Sequence, residues 1–250
     1  MNKLSNLDLK RFAQMLPARS GELLTRRNAI VVGAGAVALA IASAWALNSP
    51  TSSTPTTPRK GARPTEVSIE ELMKPGPLAE MQIGRPDAPI TVVEYASMTC
   101  SHCANFHNKV YPELKTKYID TGKVRLIMRE FPLDDRATGA AMLARCTGEG
   151  RSFALMSALF ARQDEWAFVA KESFVPELSK FARQAGFTEE SMRQCLTDQD
   201  LMDKVLTARK RAADEFGVTS TPTFFINGKR LTGGGSLEDF EKAFEPILKS

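Results

Sequence analysis

The sequence VVEYASMTCSHCANFH (residues 92–107) runs from an apolar, β-branched stretch through two cysteines, Cys100 and Cys103, into a helical pattern. The stretch before the cysteines, APITVVEYA at 88–96, has the composition of a strand that is buried on both faces. A second run of this kind, KVRLIMREF, follows at 123–131. Strand, helix and strand in this order predict a βαβ unit whose two strands pair in parallel.

Between residues 134 and 216 the pattern changes to helical periodicity. Strands return in TPTFFINGKRLTG at 221–233, where Asn227 and Gly228 are a strong signal for a two-residue hairpin, and residues 236–239 fit a helix capping box. The order is therefore βαβ, helices, ββα. It predicts an α/β fold: a thioredoxin fold with an inserted all-helical domain. The predicted helices of the insert span 136–147, 152–162, 171–184, 189–196 and 201–216.

The basic residues of the chain are concentrated at its N-terminus. The first 47 residues carry six Lys and Arg against two Asp and Glu, so the remainder holds 27 of each sign. A neutral body offers no phosphate-binding surface, and nucleic acid is not expected as a partner. After Arg26 and Arg27 come nineteen uncharged residues, 29–47, enough to reach across a hydrocarbon core as a helix. They predict either a cleaved export signal or an uncleaved inner-membrane anchor.

The segment at 48–65 is rich in Ser, Thr and Pro and reads as an extended linker. The body is then expected beyond the membrane, in the periplasm, where paired cysteines can persist as disulfides. The predicted organisation is a cytoplasmic basic segment with signal or anchor at 1–47, the linker at 48–65, a thioredoxin-like domain at 66–133 and 217–250, and the inserted helical domain at 134–216.

Cys100 and Cys103 are three residues apart, a spacing that places helical side chains about 5–6 Å from each other. A disulfide fits that separation, but a staple across so short a loop adds little stability. Cys100 is expected in the first helical turn, where unpaired N–H groups favour a thiolate. Cys103 is expected to be more buried and less acidic. Cys100 is therefore the predicted exposed, attacking sulfur, and Cys103 resolves the mixed disulfide.

His102 lies between the two cysteines. As an imidazolium or a hydrogen-bond donor it would favour the Cys100 thiolate, which would stabilise the reduced protein and make the oxidised protein a stronger oxidant. An inert loop histidine is the alternative. His107 is expected on the solvent face of the helix rather than as a ligand.

The stretches EYASMTCSHCANFH and VTSTPTFFINGKRLTGG together resemble the DsbA family of extracytoplasmic thiol–disulfide oxidoreductases, from about residue 75 to the end. The resemblance implies that Pro222 is a cis-proline facing the cysteines and that the Thr221 backbone pairs with substrate. It also implies that Glu94 lies near the resolving cysteine and assists proton transfer. A plain strand-start proline and a salt-bridged glutamate at a strand end remain the alternatives.

Two further features bear on the resemblance. The dipeptide between the cysteines begins with Ser101, where Pro is commonest in the family, which leaves the oxidising strength open. Some relatives, chiefly alphaproteobacterial, carry a second disulfide in the helical insert, and a Cys146–Cys195 disulfide is predicted on that basis. Both cysteines lie near predicted helix ends, and an oxidising compartment permits the bond. Two free buried cysteines are the alternative.

The function predicted from these features is that of a dithiol oxidase acting on reduced, exported proteins. The resemblance implies a DsbB-like, quinone-linked membrane partner for reoxidation, and no bound cofactor is expected because the dithiol is the redox centre. The protein is expected to be monomeric. A disulfide isomerase or reductase on the same fold is the first alternative. A metal-binding module using Cys100, Cys103 and a histidine is less favoured, because a zinc site usually needs four ligands.

Overall fold

The computed structural model describes residues 64–148 and 150–249, so the predicted signal or anchor and nearly all of the predicted linker lie outside the described residues. The described part contains a five-stranded sheet in the order β1-β3-β2-β4-β5. No helix in the described part is both long and apolar enough to cross a membrane. The strands are β1 (Met81–Ile83), β2 (Ile90–Ala96), β3 (Val124–Glu130), β4 (Thr223–Ile226) and β5 (Lys229–Arg230).

The predicted βαβ unit is present. β2 and β3 pair in parallel, with Val92 opposite Leu126, while β4 lies antiparallel on the other side of β2. β1 was not predicted; it has only three residues and pairs antiparallel with β3. β2 is therefore a central strand, flanked on both sides, which explains its nearly continuous apolar sequence.

The helix after the cysteines alternates between α and π geometry. A short helix, α1 (Ile69–Met73), precedes the sheet, so the helices after the cysteines are numbered from α2. α2 (Ser101–Asn105) is followed by a π-helical turn, then α3 (Tyr111–Leu114) and a second π-helical turn. Pro112 lies in α3 and has no N–H to donate to the preceding turn, which fits the wider turns around it.

The described part of the insert contains five α-helices, as predicted, and no helix end differs from its prediction by more than three residues. Side-chain caps explain three of the starts. Asp134 accepts the N–H of Ala137, Thr188 that of Ser191, and Asp198 that of Leu201. The helices are α4 (Asp135–Cys146), α5 (Ser152–Ala161), α6 (Phe174–Gln184), α7 (Glu189–Thr197) and α8 (Gln199–Phe216), and α9 (Leu237–Leu248) closes the chain after the hairpin.

Both faces of the sheet are covered by helices. Val92 packs in a cluster with Phe240 of α9, and its neighbour Val93 packs on the opposite face with Phe216 of α8. Such alternation is the period of a strand. A third cluster joins Cys103 to the apolar side chains of the insert, including Phe160 of α5. The insert and the cysteine helix therefore share a core.

The hairpin between β4 and β5 is tied to the start of β2 by Asn227. Its φ of 45° and the φ of 89° at Gly228 form the predicted two-residue turn. The Asn227 side chain accepts the N–H of Thr91 at 2.7 Å and donates to the carbonyl of Pro89 at 3.0 Å. The turn is thereby fixed to a strand that lies far away in sequence.

Candidate active site

Cys100 is the N-cap of α2, one position before the first turn in which it was predicted. Its sulfur accepts the backbone N–H of Cys103 at 3.4 Å. The Cys103 thiol and the backbone N–H groups of Cys103 and His102 stabilise the Cys100 thiolate more than burial opposes it, and they lower its pKa from 9.0 to about 5. A thiolate at this sulfur is therefore the dominant form at neutral pH.

Cys103 has the opposite electrostatic environment. Burial, the hydrogen bond of its thiol to Cys100 and the charge of Glu94 raise the pKa of Cys103 well above its ordinary value. Its exposed fraction is 0%, against 8% for Cys100. The difference between the two thiols has the predicted direction, but Cys100 is far less exposed than predicted.

Thr221 and Pro222 lie directly against Cys100. The peptide bond between them is cis. The carbonyl oxygen of Thr221 is 3.3 Å from the Cys100 sulfur and accepts a hydrogen bond from the thiol when that sulfur is protonated. Pro222 precedes β4, whose first residue pairs with Tyr95 of β2. The sheet therefore brings together two motifs that are more than a hundred residues apart.

His102 is placed differently from its predicted role. Its residue is exposed, and its contribution to the Cys100 thiolate comes from its backbone N–H. The backbone N–H groups of the helix start therefore stabilise the Cys100 thiolate, as the sequence predicted for the first turn.

Glu94 and His107 form a buried pair behind the cysteines. Glu94 lies within β2, with an exposed fraction of 0%, rather than at a strand end. The prediction that His107 faces solvent is wrong: it is 5% exposed, and its Nε2 is 3.0 Å from a carboxylate oxygen of Glu94. His107 follows Cys103 by four residues, so it lies on the same, inward face of the helix. That spacing was the signal that could have found it.

Gln163 was missed by the sequence reasoning. It is 6% exposed and lies in a short 3₁₀ turn after α5. Its amide donates to the carbonyls of Met98 at 2.9 Å and Cys100 at 3.1 Å. The insert therefore holds the loop that presents Cys100. Sequence alone gives no signal for such a contact, because it joins residues more than sixty positions apart.

Cys146 and Cys195 are joined by a disulfide, with Cα atoms 6.2 Å apart. Cys146 is the last residue of α4, and Cys195 lies in the last turn of α7. The bond lies at a surface cavity of about 340 Å³ that Arg151 and Gln194 also line. Cys100 and Cys103 are the free cysteines of the described residues. Within the described ranges, no cluster of three His, Cys, Asp or Glu side chains could hold a metal ion.

Known proteins that resemble this chain have thioredoxin-like sequences and folds. The Thioredoxin_4 family, described as thioredoxin, matches residues 78–245. A Rickettsia conorii protein, named provisionally as a protein-disulfide oxidoreductase, is 34% identical over 171 residues, which are 68% of this chain and 61% of that protein. The chain thus spans about three fifths of the length of the curated relatives it matches first.

Two solved structures extend the comparison. The crystal structure of Wolbachia pipientis alpha-DsbA1 is 34% identical, covers 73% of this chain and 96% of its own, and superposes with a TM-score of 0.66. A protein-disulfide isomerase from Novosphingobium aromaticivorans, 22% identical, covers 68% of this chain and 98% of its own with a TM-score of 0.62. The second shows that the fold is shared.

Proposed function

The chain belongs to the thioredoxin family and, within it, to the DsbA-like thiol:disulfide oxidoreductases, and we propose that it is a dithiol oxidase that introduces disulfides into exported proteins. The observation that carries the proposal is the difference between the two thiols. Cys100 has a pKa lowered to about 5, whereas Cys103, in the next turn, has a pKa raised well above its ordinary value.

The reaction begins with the oxidised protein, in which Cys100 and Cys103 share a disulfide. A substrate thiolate attacks the Cys100 sulfur, the bond to Cys103 breaks, and Cys103 leaves and takes up a proton. A mixed disulfide now joins the substrate to Cys100. The second substrate thiolate attacks the substrate sulfur of that bond, and Cys100 leaves as a thiolate. The substrate gains a disulfide, and two electrons remain on the Cys100–Cys103 dithiol.

The direction follows from the stability of the product. The reduced protein carries its charge at Cys100, where the helix start and the Cys103 thiol stabilise it. A stabilised reduced form makes the disulfide a strong oxidant. No cofactor is required, because both electrons are held by the two sulfurs.

Substrate binding is assigned to the backbone at Thr221 and Pro222. The Thr221 carbonyl already lies 3.3 Å from the Cys100 sulfur, so an extended substrate segment paired with this backbone would present its own sulfur to Cys100. Glu94 is assigned the role of exchanging a proton with Cys103. The substrates are reduced proteins in the periplasm, reached through the export signal or anchor at 29–47, and a DsbB-like, quinone-linked membrane protein removes the electrons. The protein works as a monomer.

The test is a redox titration of the purified chain against glutathione buffers, with the thiols trapped by alkylation. We expect a reduction potential far above the about −270 mV of thioredoxin and closer to the about −120 mV of a strong dithiol oxidant. A value near thioredoxin's overturns the oxidase and favours a reductase. In cells, a Cys103→Ser variant should accumulate mixed disulfides through Cys100 with exported proteins, whereas a Cys103→Ser variant that also carries Cys100→Ser should not.

A further inference from the structure

Glu94 and His107 form a buried pair of titratable side chains behind the cysteines. The side chains of Glu94 and His107 are 0% and 1% exposed. The His107 Nε2 atom is 3.0 Å from one carboxylate oxygen of Glu94 and 3.2 Å from the other. One ring nitrogen therefore serves both oxygens. A single N–H shared in this way suits an ionised carboxylate, since a protonated one presents a hydroxyl on one side.

Packing on both sides holds the two members of the pair in place. Glu94 lies in the central strand, opposite Met128 of β3 and Phe224 of β4. The His107 ring stacks on Phe160 of α5, with centroids 4.4 Å apart and planes at 14°. A buried carboxylate in such a place is costly unless a donor stabilises it, and the His107 Nε2 atom lies within hydrogen-bond distance of both of its oxygens.

The surroundings of the other ring nitrogen indicate the protonation state of His107. Its Nδ1 atom is buried and has no hydrogen-bond partner among the described residues. A charged imidazolium would place a second, unsatisfied N–H at that position, whereas a neutral ring leaves only a lone pair there. The geometry therefore assigns a neutral ring that carries its proton on Nε2 and donates it to Glu94.

Two titratable groups sense this pair. The charge of Glu94 helps to raise the pKa of Cys103, the thiol of α2 above it. It also contributes, after burial and Asp120, to raising the pKa of Tyr111 of α3 to about 12. Tyr111 packs with its ring 5.5 Å from that of His107 and stays protonated at neutral pH. Of these two groups, Cys103 is therefore the one that can exchange a proton with Glu94 near neutral pH.

We propose that His107 is a positioning residue for Glu94: a neutral, fixed N–H donor that keeps the carboxylate ionised and ready to accept the proton of Cys103. The inference rests on the proposed thiol–disulfide exchange. In the resolving step the Cys103 thiol gives its proton to Glu94, and its sulfur attacks Cys100 in the mixed disulfide. The Cys100–Cys103 bond forms, the bond from Cys100 to the partner sulfur breaks, and the partner leaves as a thiolate.

Two substitutions separate this role from packing. His107→Phe keeps an aromatic ring that can stack on Phe160 but removes the donor. His107→Gln removes the ring but places an amide N–H close to the position of Nε2. If His107 matters as a donor, Gln replaces it and Phe does not; if it matters as a stacking ring, the reverse holds. Tyr111→Phe is the matched control, because it changes a neighbouring aromatic side chain and leaves both Glu94 and His107 as they are.

The experiment mixes each reduced, full-length protein with the aromatic disulfide 5,5′-dithiobis(2-nitrobenzoate) between pH 5 and 9. The attack of Cys100 releases the first nitrothiobenzoate, and the attack of Cys103 on the mixed disulfide releases the second. We expect the second phase of His107→Phe to be slowed at least about tenfold at pH 6, with its midpoint moved about one unit or more to higher pH, because an unpartnered carboxylate keeps its proton. His107→Gln and Tyr111→Phe should stay within about threefold of the parent.

A slow Gln variant beside a normal Phe variant overturns the proposal in favour of stacking. Equal behaviour of the two variants, whether both are normal, both slow with an unmoved midpoint, or both shifted, also overturns it. Should a variant not fold, nitrogen NMR of His107 in the parent decides: a neutral ring protonated at Nε2 at pH 7 supports the proposal, and an imidazolium overturns it. Because the resolving step is intramolecular, a thioredoxin-like potential would end the oxidase proposal and leave this one standing.

Discussion

The two cysteine pairs of this chain lie at opposite ends of helices. Cys100 caps the N-terminus of α2 and receives a backbone N–H, and the free thiol of Cys103 lies one turn further along. Cys146 ends α4, and Cys195 lies in the last turn of α7, where carbonyl oxygens predominate. A helix start stabilises a thiolate and a helix end does not. We therefore expect thiol reactivity to follow position on the helix, although Cys146 is exposed and Cys100 is buried.

The two cysteine pairs also differ in the length of the loop that each disulfide closes. The Cys146–Cys195 bond links residues 49 apart, and a long loop gains stability from closure. The other pair is only three apart and gains almost none, so opening it costs the fold little. We therefore expect the first pair to exchange its bond and the second pair to keep it.

The largest contrast is expected in activity. Cys100→Ser should abolish oxidation of a reduced peptide dithiol, a loss of about a thousandfold or more, because the variant cannot form the Cys100–Cys103 disulfide that accepts the two electrons. The double variant Cys146→Ser with Cys195→Ser should stay within about threefold of the parent. Stopped-flow fluorescence of the peptide measures both. An equally inactive double variant would erase the distinction between the pairs.

The pH dependence of Cys100 sharpens the contrast. Alkylation of the reduced protein by iodoacetamide should reach half its maximal rate near pH 5 at Cys100, because that pKa is lowered to about 5. Cys103 should remain unmodified well beyond neutral pH, because its pKa is raised. Mass spectrometry of tryptic peptides assigns each modification. Similar rates at both sulfurs would contradict the proposed division of roles.

The same shift has a consequence for stability, with a definite sign. A lowered pKa in the folded state stabilises the reduced protein above the ordinary thiol pKa of 9.0, and this stabilisation is lost as the pH falls towards about 5. The free energy of unfolding of the dithiol form, relative to the disulfide form, should therefore fall from pH 9 to pH 5. Urea titrations of both forms across this range provide the measurement.

The second pair should show its effect in stability. Replacing Cys146 and Cys195 by Ser should lower the free energy of unfolding by up to about 4 kcal/mol, as expected for a closed loop of this length. Reduction of Cys100 and Cys103 alone, with the other bond intact, is the internal control and should not cause a loss of that kind. Chemical denaturation of each form checks this. A double variant as stable as the parent would show that the second bond is not a staple.

The smallest effect is expected at the contacts that support each pair. Gln163→Leu removes the amide that holds the Met98 and Cys100 carbonyls and should cost about 1–3 kcal/mol, with less than a tenfold change in Cys100 alkylation. Thr147→Val is the counterpart beside Cys146, since it removes a hydroxyl that donates to Ala144. It should leave Cys100 kinetics unchanged. A larger kinetic effect for Thr147→Val than for Gln163→Leu would reverse the comparison.

Most of the fold could be predicted because its signals are local. The apolar strands β2 and β3, the Asn227–Gly228 hairpin and the capping box at Ser236 each depend on a few adjacent residues. β1 carries no comparable signal in three residues, and the π turns after Asn105 depend on packing that a periodicity does not show.

The candidate site was predicted where residues are close in sequence and only partly where they are not. The asymmetry of the cysteine pair follows from a helix start, but the low exposure of Cys100 depends on the insert that covers it. Glu94 was expected near Cys103, whereas its partner His107 was wrongly placed in solvent because a polar residue was read by its type instead of its helical face. Gln163 needed the tertiary structure.

Asn227 shows how a residue remote from the chemistry sets its alignment. The amide that binds Thr91 and Pro89 lies at one end of β4, and Thr221 lies six residues earlier, against Cys100. Since a strand rises about 3.3 Å per residue, a slip of two residues would carry the Thr221 carbonyl about 7 Å from the sulfur. The tip of the hairpin thus fixes the register of β4 against β2, and this register determines where Thr221 lies relative to Cys100.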